Sequence, residues 1–382
     1  MNSLLDRVDA LMRDGLGRVF PAAVLTVARN ETTRFRRAYG YLDPDVGARP
    51  TQVDTRFDLA SLTKLFTATA FVRLVEMGQV GLDQPVVTVI PGLSGRRPIG
   101  DTEDPLSLAV VPPPPRYRGQ EVEAEAVTFR HLLTHTSGLA AWRSLFRELA
   151  GTPLGQRRRR AVELVCGYDF AYPTGQEVVY SDLGFILLGE AVARLTDRPL
   201  NRAVQELVLE PLALADTGYC PSTHTRSIAP TEICPWRGRR LRGEVDDKNA
   251  AAVGGVSGHA GLFAPAHDVL ALGCCFLHGG APLLRLETVA QMTQEQVSMG
   301  GQRRGLVWLL AGDEHAPYTD SLGPEAYGHT GFTGTSLWVA PRHDLVVVLL
   351  TNRVYYGRDD GEAVVTFRHQ LHRTIAAAIE QE

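Results

Sequence analysis

The spacing of apolar and polar positions changes character several times along the chain, and each change marks an element. Residues 3–14 alternate apolar and charged side chains at helical spacing and predict an amphipathic helix. Ala22–Arg29 and Arg34–Tyr41 read as two strands, with the turn residues Asn30, Glu31 and Thr32 between them. Leu59–Met77 is apolar nearly all round and stops at Gly78, which predicts a helix in the middle of the fold with a glycine just past its end. Further helices are expected at 128–137, 144–150, 156–166, 182–196, 200–208 and 265–278. Segments 92–127, with the run Pro112–Pro115, and 220–250 read as irregular. The chain end returns to strand at Gly305–Leu310, Ser336–Ala340 and Leu345–Thr351, then closes with a helix over Ala363–Ile379.

Strands at both ends with helices between them predict one sheet shared by the two termini and a helical subdomain in the middle. The expected division is 1–80 with 255–382 for the sheet domain and 81–254 for the helical one, with the site between them. No period of 20–50 residues repeats, which excludes solenoids and propellers.

Composition narrows the classes. With 382 residues, 44% hydrophobic and 21% charged, the chain has ample apolar side chain to bury, and disordered, collagen-like and mucin-like classes fall away. A net charge of −4 leaves no electrostatic footprint for nucleic acid. The longest apolar runs, Val269–Leu277 and Leu345–Leu350, are far shorter than the roughly 18–20 residues of a membrane helix, so no membrane span is expected. The N-terminus lacks the apolar core of a signal peptide, and an odd set of five cysteines makes a poor disulfide framework. A cytoplasmic address is expected, unless a leader has been removed. No phosphate loop or G-x-G-x-x-G is present, and no cofactor is expected. His131 and His135 have a spacing that can hold zinc, but no cluster of further ligands stands nearby; they read as structural, and no metal is expected. His259, in Gly258-His259-Ala260-Gly261, is placed near the cleft without a role.

Among the 39 basic side chains only Lys64 and Lys248 are lysine. A chain that writes arginine elsewhere suggests that a lysine does something arginine cannot, such as losing its proton near neutral pH. Lys64 belongs to Ser61-Leu62-Thr63-Lys64 at the start of the apolar helix. At ~100° per residue, positions three apart lie about 60° from one another, so the hydroxyl and the amine share a face. Burial is expected to lower the lysine pKa and let the neutral amine take the serine proton. Tyr180-Ser181-Asp182, just before a helix, adds a tyrosine that a neighbouring lysine would bias toward its anion. His329-Thr330-Gly331 adds polar groups and a glycine that lets a ligand lie against the backbone.

Together, in this order, the three elements resemble the Ser-x-x-Lys, Tyr-x-Asn and Lys-Thr-Gly motifs of the serine β-lactamase and penicillin-binding-protein superfamily, nearest its class C branch with the D-alanyl-D-alanine carboxypeptidases and esterases. FRHLLTHTSGL, GGVSGHAGLF and GHTGFTGTSLWVAPRHDLVVVLLTN fit the same family. The resemblance implies an α+β fold, an antiparallel sheet from both chain ends flanked by helices with an inserted mainly helical subdomain. It implies Ser61 as acylated nucleophile, Lys64 and Tyr180 sharing the proton work, and the N–H groups of Ser61 and Phe332 as oxyanion hole. Asp182, His329, Thr330 and Gly331 would meet the substrate. Two positions depart from the pattern: Asp182 stands for asparagine and His329 for lysine, which would make a carboxylate-binding charge conditional on pH. The expected activity is acyl transfer from a small-molecule or peptide amide or ester, including β-lactams and D-amino-acid peptides. The alternative is a retired relative that binds such ligands without turnover.

Overall fold

The computed structural model describes residues 2–222, 227–314, 316–358 and 361–379. In chain order the elements used below are α1 (Asn2–Asp14), β1 (Ala22–Arg29), β2 (Thr32–Asp43), β3 (Gly47–Pro50), α2 (Thr63–Glu76), α3 (Asp182–Thr196) and α4 (Ala266–Leu277). They continue with β4 (Val297–Met299), β5 (Gln302–Arg304), β6 (Leu309–Leu310), β7 (Tyr327–Thr330), β8 (Ser336–Ala340), β9 (Leu345–Thr351) and α5 (Glu362–Ile379).

The nine strands form one sheet in the order β4-β5-β6-β7-β8-β9-β1-β2-β3, every pair antiparallel. The first and last segments meet at its centre, where Ala23 pairs with Thr351 and Arg29 with Leu345. These central strands read as continuous apolar runs because both faces are covered. Val346, Val348 and Leu350 point into one core, shared with α2, α3 and α4. Leu345, Val347 and Leu349 point into a second, under α1 and α5, where Phe20 meets Phe367 edge-on at 5.1 Å. The small residue Gly273 lets α4 lie close on Val346 and Leu337. No helix among the described residues is long and apolar enough to cross a membrane.

Several boundaries differ from expectation. The predicted helix over Leu59–Met77 is a 3₁₀ turn, Ala60–Leu62, followed by α2. The break has a local cause: Ala60 takes a left-handed φ of 46°, and its N–H is held by the Asp58 carboxylate at 2.9 Å. The predicted strand Gly305–Leu310 is only partly strand, since Val307, at φ 70°, interrupts the path between β5 and β6. The helix expected at 128–137 spans Phe129–Leu133 and ends before His135, whose φ is 60°. The irregular segment 92–127 carries two short ladders, Arg96–Pro98 with Glu121–Glu123 and Thr102–Glu103 with Val110–Val111.

Candidate active site

Between the sheet and the helices lies a cavity of about 330 Å³, with Ser61, Tyr180, Asp182, Lys248, His259 and Phe332 in its walls. Pro105 and Leu106 from the long irregular segment close one side.

Ser61 sits in the 3₁₀ turn rather than in the α-helix, next to the left-handed Ala60. A non-glycine residue in this left-handed conformation costs on the order of 1–3 kcal/mol and persists only when neighbours hold it. Here they do. Thr333 Oγ1 donates to the Asp58 carbonyl at 2.7 Å, and Thr335 Oγ1 donates to the Leu59 carbonyl at 3.0 Å. Gly331 packs against the same stretch, where a Cβ would overlap the Leu59 carbonyl and the Thr335 hydroxyl. The link from β7 to β8 therefore grips the turn that carries Ser61 through backbone and hydroxyl groups.

Lys64, one turn on, is fully buried. Its Nζ donates to Ser61 Oγ at 2.8 Å and to the His259 carbonyl at 3.2 Å, and lies 2.7 Å from Asp182 Oδ1. It also stands 4.7 Å from the centre of the Tyr180 ring. Burial is the largest single influence and pushes the Lys64 pKa down, but the Asp182 carboxylate and Tyr180 together outweigh it, and the net shift is upward. The expected neutral lysine is thus corrected: Lys64 is held as an ammonium. Tyr180 likewise does not titrate low. Its hydroxyl is buried, and desolvation with the Asp182 charge raises its pKa against the pull of Lys64.

His135 positions Tyr180, a role the sequence did not suggest. Its carbonyl accepts the Val179 N–H at 2.9 Å, its Nδ1 accepts the Ser181 N–H at 3.0 Å, and its ring stacks on Tyr180 at 4.6 Å. Burial, with Arg304 and Lys64 nearby, holds the His135 pKa well below the usual imidazole range, which keeps the accepting lone pair free. His131 instead closes a capping box with Thr128, so the two histidines do not form a ligand pair. Ser181 caps α3 through the Gly184 N–H at 3.1 Å, which aims Asp182 back at Lys64.

His329 departs furthest from expectation. It is 2% exposed and lies behind Tyr180 rather than in the cavity wall. Its Nδ1 donates to the Thr330 carbonyl at 2.8 Å. Burial first, then Lys64, lower its pKa to about 3. It stays neutral at ordinary pH and cannot serve as a conditional cation for a substrate carboxylate. Thr330 and Gly331 lie outside the cavity walls too; of that segment it is Phe332 that faces the cleft. Arg353 Nε holds the Phe332 carbonyl at 2.9 Å, and the ring lies between the guanidinium groups of Arg353 and Arg358, at 4.9 and 5.0 Å.

On the opposite wall, His259 Nε2 and Asp247 Oδ1 lie 2.8 Å apart, and His259 Nδ1 meets Ser257 Oγ at 2.8 Å. Asp182, Asp247 and His259 bring their ligand atoms within 4.8 Å of one another, the one such group among the described residues. All three are engaged by protein partners: Asp182 by Lys64, and Asp247 and His259 by each other. The glycine-flanked His259 and the rarity of Lys248 were the sequence signals for this wall; Asp247 had none.

The Ser61 turn, the helix lysine, the loop tyrosine and the β7–β8 turn together make up the site. The family model described as Beta-lactamase matches residues 8–368. The chain belongs to the Beta-lactamase family. Within reach of that family, the chain is 30% identical to an N-acetylmuramyl-L-alanine amidase of Bacillus subtilis, over 91% of this chain and 81% of that one. It is 28% identical to a putative D-alanyl-D-alanine carboxypeptidase of Salmonella schwarzengrund, over 91% and 82%. Among solved structures, EstCE1, a hydrolase with promiscuous acyltransferase activity, superposes with a TM-score of 0.73 at 23% identity, covering 98% of each chain. That last likeness establishes the β-lactamase-type fold, the α+β architecture expected above.

Proposed function

We propose that the protein is a serine hydrolase that forms a covalent acyl-enzyme through Ser61 on an amide or ester. The 2.8 Å contact between Lys64 Nζ and Ser61 Oγ, at the wall of an open cavity, carries this reading. As Ser61 Oγ attacks the carbonyl carbon, its proton passes to Lys64 while Lys64 passes one to Asp182, 2.7 Å away. The carboxylate becomes neutral, the ammonium is regenerated and the negative charge resides on the substrate oxygen. The N–H groups of Ser61 and Phe332 are the donors for that oxygen, in a turn pinned by Thr333, Thr335 and Arg353. Collapse of the intermediate breaks the bond to the leaving group, which takes its proton from Lys64 or through Tyr180. Water then repeats the sequence on the acyl-enzyme.

The two curated relatives, named as an amidase and a putative carboxypeptidase, favour an amide beside alanine, of the N-acetylmuramyl-L-alanine or D-alanyl-D-alanine kind. One observation favours the second reading, ligand binding without turnover: the pairing of Lys64 with Asp182 stabilises the ammonium that a base must lose. Intact-protein mass spectrometry after a fluorophosphonate decides between them. A single adduct on the wild type that is lost in Ser61→Ala supports the hydrolase; no adduct on the wild type overturns it.

A further inference from the structure

Two cations line the cleft, Lys248 and Arg358, and a third, Lys64, is buried just behind Ser61. Lys64 is bound by Asp182 and Ser61. Arg358 is bound by Glu232 and Asp246, each at 2.7 Å. Lys248, half-buried in the same wall, has no carboxylate within ion-pair distance among the described residues; its ammonium stands 5.7 Å from the Phe146 ring. The carboxylates that share the cleft are taken: Asp182 by Lys64, Asp246 by Arg358, and Asp247 by His259 at 2.8 Å and by the Ala250 N–H at 2.7 Å. Among the described residues, the cleft therefore keeps one positive charge without a carboxylate partner. The site that a lysine would occupy in the β7–β8 motif holds instead His329, which is buried, neutral and outside the cavity. Lys248 lines the cavity and Lys64 lies behind its wall on Ser61, so lysines 184 positions apart are brought to one site, a placement no local pattern announces.

We infer that Lys248 is the specificity-determining residue of this site, and that it binds a carboxylate carried by the substrate. The inference rests on the reading of Ser61 as the acylated nucleophile. The ammonium is a flexible point charge over an aromatic ring, suited to meeting an anion that enters from solvent. The substrate class is thus a carboxylate-bearing amide or ester, such as a peptide with a free C-terminus.

Two matched pairs of aryl esters test this. Methyl 4-acetoxybenzoate and 4-acetoxybenzoate differ by a carboxylate on the leaving group; p-nitrophenyl butyrate and p-nitrophenyl hemisuccinate differ by one on the acyl group. In Lys248→Gln, KM for the charged member of one pair should rise about tenfold or more, the cost of losing a hydrogen bond to a charged group. Values for the neutral members should stay unchanged, and Lys248→Arg should restore most of the preference. Which pair responds locates the carboxylate on the leaving or the acyl side. Equal effects on charged and neutral members, or no effect on either, overturn the proposal while leaving the serine reading intact. A wild type that none of the four esters acylates removes the serine reading, and the proposal with it.

Discussion

The two walls that meet at Ser61 are built by different means. On the helical wall, the side chains of Ser61, Lys64 and Asp182 are joined by contacts of 2.7–2.8 Å, with the Tyr180 ring beside Lys64. On the sheet wall, His329, Thr330 and Gly331 lie outside the cavity, and the Thr333 and Thr335 hydroxyls that follow hold the backbone before Ser61 in place. Sequence motifs of equal apparent weight therefore carry unequal chemistry.

The largest expected effect is on the helical wall. Ser61→Ala should lower ester turnover on the order of 10⁶-fold, as removal of a nucleophile does, with the urea midpoint little changed. Full labelling of that variant would end the assignment. Lys64→Arg comes next: arginine keeps the pairing with Asp182 but cannot release a proton, so acylation should slow by at least roughly 10²-fold. Stopped-flow acylation near the wild-type rate would make Lys64 a purely structural cation and erase the difference between the walls.

Gly331→Ala probes the sheet wall. Its added methyl overlaps the Leu59 carbonyl and Thr335 Oγ1, so stability should fall by about 1–3 kcal/mol, and turnover should fall with it because Ala60 and Ser61 are displaced. An unchanged denaturation midpoint would show that the grip on the nucleophile turn is slack.

The smallest effect is a matter of pH. His329 titrates at about 3 when folded and near ~6.5 when unfolded, so between those values the unfolded chain binds more protons. Its contribution to stability is complete above the unfolded value and is lost as pH falls, by up to ~1.4 kcal/mol per pH unit. His329→Gln should flatten that acid limb in urea melts taken at about pH 5 and pH 7.5, on either side of the ordinary histidine pKa. The same burial predicts no His329-linked step in the preference for anionic over neutral esters; a step near pH 6.5 that vanishes in His329→Gln would return the histidine to the binding site.

Much of this was legible before any tertiary contact was known. Alternation and apolar runs located β1, β8 and β9, because strands covered on both faces must be apolar throughout. Ser61 and Lys64 were legible because residues three apart on a helical path face the same way whatever surrounds them. Lys248 left only the trace of its rarity, and His135 none, since the role of each depends on segments distant in the chain.

The sequence by itself determined the local periods, the spacing of Ser61, Lys64 and Tyr180, and through them the family and its sheet of joined termini. Tertiary structure alone decided the charges. Lys64 is an ammonium because Asp182, 118 positions later, arrives 2.7 Å away, and His329 is neutral because burial beside Tyr180 strips it of water and the Lys64 charge opposes its protonation. The physical reason is that periodicity is a property of neighbouring residues. Ionisation is set by solvent and by opposite charge, and the fold supplies both from remote parts of the chain.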